Sequence, residues 1–156
     1  MARFPFLRLV LLLFTLSCTQ ASGLGLGGVP LHDLPAATIR IGGHPVRTLL
    51  ATTQPEHETG LMFRERLPEN EGMLFVYETA KVRCMWMKNT LIPLTAAFLD
   101  ADGRILNLED MAPGTTQSHC SAGPVLYVLE MNRGWFERRG LGAGVSVDLS
   151  EIGTAR

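Results

Sequence analysis

Apolar runs of strand length, cut repeatedly by glycine and proline, govern what this chain can become. "GMLFVY" (72–77) and "VLYVLEMN" (125–132) are near-continuous apolar stretches, too short for buried helices and suited to strands. "ATIRIGGHPVRTLLAT" (37–52) alternates, breaks at Gly42-Gly43 and alternates again, the mark of a hairpin with a tight glycine turn. "IPLTAAFLDADGRILNLEDM" (92–111) reads as strand, Asp102-Gly103 turn, strand. "VRCMWMKNT" (82–90) and "VSVDLS" (145–150) complete about seven strands. Two stretches change period. In 54–72, Thr59, Leu61, Met62 and Leu67 fit a short helix with Arg64 and Arg66 late in it, ended by Pro68. In 133–144 a second short helix closes at Gly140. The expectation is a mostly β, single-domain protein, a β-sandwich or partly closed barrel with two short helices, spanning residues 37–150.

The ends read differently. "MARFPFLRLVLLLFTLSCTQASG" carries two arginines, an apolar run from Leu9 to Leu16, then small residues, the layout of a secretory signal over 1–21. That run falls short of the roughly 20 residues that span a bilayer. Cleavage after Ala21 is one reading; lipid attachment at Cys18 is the other, and it would supply the chain's only link to a membrane. Residues 22–36 form a glycine-rich flexible lead-in and 151–156 a C-terminal tail. Without the arginines of the signal, the 14 Lys+Arg fall to 12 against 15 Asp+Glu, and the net charge moves from −1 to −3. A weakly acidic domain without a basic patch does not suit nucleic acid; an unknown small molecule or an envelope protein is the expected partner. Cys84 and Cys120 are then an even pair in an oxidising periplasmic or envelope compartment, where a disulfide is the natural reading. Two separate thiols are the alternative, while a metal pair would lack the usual CxxC or HxxxH spacing.

"GLMFRERL", "EGMLFVY", "MWMKNTLIPLTAAFLDADGRI" and "PVLYVLEMNRGWFERRGL", in that order, resemble the exported, uncharacterised proteins grouped as domain of unknown function 192. The resemblance runs from about Thr38 to Leu149. It implies a compact sandwich-like β domain with small helices and no established activity. This chain departs from the family pattern in placing Cys84 and Met85 where an aromatic residue is common, and in ending on "GAGVSVDLS".

The chemistry-bearing residues sit inside apolar strands. Strand alternation puts Cys84, Trp86 and Lys88 on one face and Met85, Met87 and Asn89 on the other. Lys88 either lays its stem over Trp86 with its ammonium in water or pairs with an acid on another strand, for which Glu130, between Leu129 and Met131, is the choice. Asn89 and Thr90 suit a strand exit. Met85, Met87 and His119 would make a thioether–imidazole set for Cu(I), against the plainer reading of methionines as core filler. A hydrolase would draw on Lys88 or Asp100, yet Asp100 and Asp102 fit a turn. Ser118-His119-Cys120 lacks a nucleophile elbow. Trp135 or Phe136 caps the core, with the neighbouring arginines solvated. The function expected is a non-enzymatic ligand-binding or accessory module without a cofactor, facing its ligand with Lys88, Asn89 and Glu130, and with Arg64 as an anion contact.

Overall fold

A computed structural model describes residues 34–154 of the chain. The expected signal, the Cys18 question, most of the lead-in and the last two residues of the tail lie outside the described residues. Seven strands make one curled, half-barrel sheet: β1 (Ala36–Ile41), β2 (His44–Ala51), β3 (Glu71–Lys81), β5 (Leu94–Leu99), β6 (Ile105–Met111), β8 (Val125–Asn132) and β9 (Val147–Asp148). Their order is β6-β5-β8-β3-β2-β1-β9. β4 (Cys84–Met85) and β7 (His119–Cys120) form a separate two-stranded piece. Of the two expected architectures, the chain takes the partly closed barrel.

Both glycine-marked hairpins form. Gly42 and Gly43 have φ of 55° and 84° and join Ile41 to its register partner His44. The Asp100–Arg104 turn is wider than two residues, and Asp100 Oδ1 accepts from the Asp102 and Arg104 amides at 3.0 and 2.9 Å. Asp100 therefore has the turn duty that the sequence suggests.

The helix expected in the stretch from Gln54, with Arg64 and Arg66 late and Pro68 as its end, forms only at its start, as α1 (Gln54–Thr59). Glu56 Oε2 accepts from the Thr52 and Thr53 amides at 2.6 and 2.8 Å, fixing the start. Gly60, at φ 47°, ends it, so Arg64 and Arg66 lie beyond the helix in an irregular segment. A Cβ at Gly60 would stand 3.2 Å from the Phe75 ring, which is why the chain turns there on a glycine. The second expected helix is a single 3-10 turn, Glu137–Arg139, and another such turn covers Ser150–Thr154. "VRCMWMKNT" is a strand only at Cys84–Met85, and "VSVDLS" only at Val147–Asp148.

Both faces of the sheet are covered, so its central strands are mostly apolar, with Thr95 of β5 and Glu130 of β8 among the buried polar exceptions. One face carries Met73 and Phe75 of β3, Leu94, Ala96 and Phe98 of β5, and Val128 of β8, with Leu61, Met85 and Met87 over them. The other carries Leu74, Val76, Leu129 and Met131, sealed by Trp135 and Phe136, which are 0% and 1% exposed. Arg139 stacks on Trp135 at 4.3 Å and bonds Glu69 at 3.3 Å, so it is held as well as solvated.

β2 and β3 run parallel, the one parallel pairing among the named strands. A parallel neighbour needs a crossover, and here residues 52–70, including α1, cross the first face. The Cys84–Cys120 disulfide joins β4 to β7 at a register pair, with Cα atoms 4.0 Å apart. That ladder has only two residue pairs, so the bridge is its main tie. Replacing both cysteines by alanine is expected to cost about 3–4 kcal/mol in the chain-entropy view. Chemical denaturation gives the loss, and amide exchange should rise first at 84–91.

Candidate functional site

The site begins with one misfit side chain. Alternation along β8 sends Val128 and Glu130 to the same face, where the register partners of Glu130 are Met73 of β3 and Ala96 of β5. Apolar neighbours on both sides leave Glu130 4% exposed. No hydrogen bond or ion pair from a described residue reaches its carboxyl, and burial pushes its pKa up to about 8. A buried carboxyl without a partner is costly, so a group kept in that state invites a functional explanation.

Glu130 opens into a chamber of about 20 Å³ walled by His57, Glu58, Thr59, Gly60, Leu61, Met62, Phe75, Met85, Trp86 and Thr90. That is room for about one water-sized group. Outside it lies a groove of about 310 Å³ that shares His57, Glu58, Met85 and Trp86 with the chamber and adds Gln54, Tyr77, Val82, Arg83 and Cys84. The cleft thus runs between α1 on one side and β4 with its flanking loop on the other.

Its walls are held firmly. His57 Nε2 lies 3.0 Å from the Ala51 carbonyl, and the ring rests on Tyr77 with centroids 4.5 Å apart. The Arg83 guanidinium stacks on the other partner of that pair, 3.9 Å from the Tyr77 centroid, and donates to the Thr79 carbonyl at 2.9 Å. Burial pushes the Tyr77 hydroxyl up to about 12; Arg83 pulls it down and the charge of Glu130 pushes it further up. Tyr77 and Glu130 therefore share one electrostatic environment.

The residues singled out in the sequence scatter around this cleft. Lys88 makes no ion pair with Glu130: it is exposed, with Nζ 5.5 Å from the Trp86 centroid. The alternation expected for 84–88 persists, with Met85 and Met87 buried and Trp86 exposed, but it stops at Asn89. Asn89 has φ 58°, which asparagine tolerates, and Lys88-Asn89 is a turn. The Asn89 carbonyl accepts from the Phe63 amide at 2.8 Å, tying this turn to the segment after α1. Phe63 is itself at φ 62°, a strained setting for an aromatic residue. Arg64 is half-buried in that same segment. Met85 and His119 are register partners, with His119 3.7 Å from Glu109, whereas Met87 is closed in the core. Among the described residues no cluster of three His, Cys, Asp or Glu side chains could hold a metal.

Sequence reasoning found Glu130 and missed His57, Tyr77 and Arg83. Nothing in their spacing marks them; only the crossover and the bend of β3 bring them over β8. A hollow of about 450 Å³ on the opposite side, lined by Thr95, Asp110, Gly134, Phe136 and others, is larger. Its buried polar group is satisfied, Thr95 donating to Asp110 at 2.6 Å while Asp110 also accepts from Arg133 at 3.1 Å, and its other acid, Glu137, is exposed to solvent, so it lacks the unmet demand seen at Glu130.

The raised pKa of Glu130 sets a sign for stability. Between its ordinary value of 4.5 and about 8, the unfolded chain has lost the proton that the folded chain keeps. Folding stability is therefore fullest below 4.5 and falls as pH rises towards 8, by at most about 1.4 kcal/mol per unit. Glu130→Gln should remove that decline, so that the variant gains on the parent with rising pH. Urea titrations at pH 4.5 and 8 measure it, and a difference independent of pH would contradict the assignment.

No functionally curated protein matches the sequence. A crystal structure from Sinorhizobium meliloti, provisionally described as a transcription regulator, is 32% identical, with a TM-score of 0.71, covering 74% of this chain and 94% of that one. A second, of a protein of unknown function from Novosphingobium aromaticivorans, is 35% identical, with a TM-score of 0.73, covering 78% of this chain and 90% of that one. The profile of the DUF192 family, described as "Uncharacterized ACR, COG1430", matches residues 37–149. The four motifs, the half-barrel sheet and these likenesses agree: the chain belongs to the DUF192 family.

Proposed function

We propose that this protein is an exported, non-enzymatic ligand-binding module of the periplasm or cell envelope, and that its ligand enters the cleft over Glu130. One observation carries the reading: a carboxyl that no described residue hydrogen-bonds lies beneath a cleft with aromatic and thioether walls. Such a group is available to a guest in a way that a satisfied one is not. Glu130 is the anchor, His57, Met85 and Trp86 are the walls, and Tyr77 and Arg83 form the outer rim. Lys88 stands over Trp86 outside the lining of the cleft, while Asn89 and Arg64 belong to the tied loops beside it. Export is supported by the layout of residues 1–21 and by a disulfide that suits an oxidising compartment.

The rival chemistries have less support. Asp100 is engaged in its turn, Cys120 is bonded to Cys84, and Met87 is walled off from Met85's cleft. Nuclear magnetic resonance screening of a small-molecule library against the mature protein tests the proposal. Hits should move the Trp86 indole and the Met62 and Met85 methyl signals, and Trp86→Ala should weaken them at least tenfold, about 1.4 kcal/mol. Hits confined to the Thr95–Asp110 hollow would overturn the site. Turnover of ester substrates lost in Lys88→Met would overturn the non-enzymatic reading.

A further inference from the structure

The chemistry of the chamber narrows what the ligand must carry. Its floor is an acid with no cation from a described residue paired to it. Its walls include the aromatic side chains of Phe75 and Trp86 and the thioethers of Met62 and Met85, whose ring faces and sulfur lone pairs favour positive charge over negative. The titratable and charged groups that look towards Glu130 are few. α1 contributes His57 and Glu58, and β3 contributes Tyr77, with Arg83 stacked behind its ring. β5 offers only Ala96 at that level, β4 only Met85. The chamber of about 20 Å³ admits one group of water size and no branched head. The protein already shows the preference on its own surface, where the primary ammonium of Lys88 settles over Trp86.

We propose that Glu130 is the anchor for a primary ammonium group, borne on an unbranched alkyl stem that lies in the outer groove between Trp86 and Tyr77. This rests on the ligand-binding reading and specifies its chemical class. The ligand enters as a cation. The Glu130 carboxyl releases its proton to solvent, and the resulting carboxylate accepts a charge-assisted hydrogen bond from the ammonium. No covalent bond forms. Water held in the chamber leaves as the ammonium arrives, and the stem replaces groove solvent against aromatic and thioether surface. A quaternary head is too large for the chamber, and a carboxylate head would meet a second acid.

Four probes of similar reach separate the classes: n-butylammonium, n-butanol, butyrate and tetramethylammonium, each titrated into the mature protein. The Trp86 indole and Met85 methyl signals are the readout. The expected result is binding of n-butylammonium alone, tightening up to tenfold per pH unit between pH 6 and about 8, the range in which the carboxyl must shed its proton. Calorimetry in buffers of different ionisation enthalpy should count close to one proton released per ligand at pH 6. Glu130→Gln should weaken n-butylammonium by at least tenfold while keeping the fold, and Trp86→Leu should weaken it without altering the proton count. Equal or tighter binding of n-butanol or butyrate at those signals overturns the ammonium class and leaves the ligand-binding reading standing. If all four probes are silent while library compounds bind, the class again fails alone. Silence of both probes and library overturns the two together.

Discussion

Strand β8 is hydrogen-bonded along both edges, to β3 and to β5, and this double ladder dictates everything that follows at the site. A strand locked on both sides cannot rotate one residue outward without losing register on both neighbours. Glu130 is consequently committed to the same face as Val128, beneath the crossover, whatever the cost of burying an acid there. The register is reinforced at Gly72, where a Cβ would come within 2.6 Å of the Glu130 carbonyl oxygen and 2.5 Å of the Met131 sulfur. β3 and β8 pack so closely at that point that no side chain fits between them.

What lies over Glu130 is assembled from parts that depend on one another. The loop after α1 and the Lys88-Asn89 turn meet through the Phe63 amide and the Asn89 carbonyl, both residues in the left-handed region. β4 is joined to β7 by sulfur, and Arg83 is stacked on Tyr77 next to His57. Strain, covalent bond and stacked rings all converge on the cover of one cleft. The opposite face of the sheet is closed more simply, by Trp135 and Phe136.

Local patterns carried the sequence reading as far as local physics reaches. Gly42-Gly43 and Asp102-Gly103 mark turns because few residues accept that backbone, so both hairpins were legible. The Cys84–Cys120 pairing followed from an even count. The helix was drawn too long because Leu61, Met62 and Leu67 obey a helical spacing, yet Leu61 and Leu67 pack into the core from an irregular segment and Gly60 stops α1 before them. Glu130 stood out as an acid between Leu129 and Met131. The pairing expected for it with Lys88 does not form, since Lys88 belongs to a turn that directs it to solvent rather than to a strand crossing the core. His57, Tyr77 and Arg83 come together through long-range folding, which no single window of sequence records.

The parallel pairing of β2 with β3 has a consequence for how such a site diversifies. Because the segment over Glu130 is the obligatory bridge between two side-by-side strands, the chain cannot discard it and keep the sheet. Within it Gly60, Leu61 and Leu67 are held by the core, whereas its exposed positions carry no such constraint. Relatives that share the barrel half can thus re-cut the aperture above the acid, wider or narrower, without disturbing the foundation on which it stands.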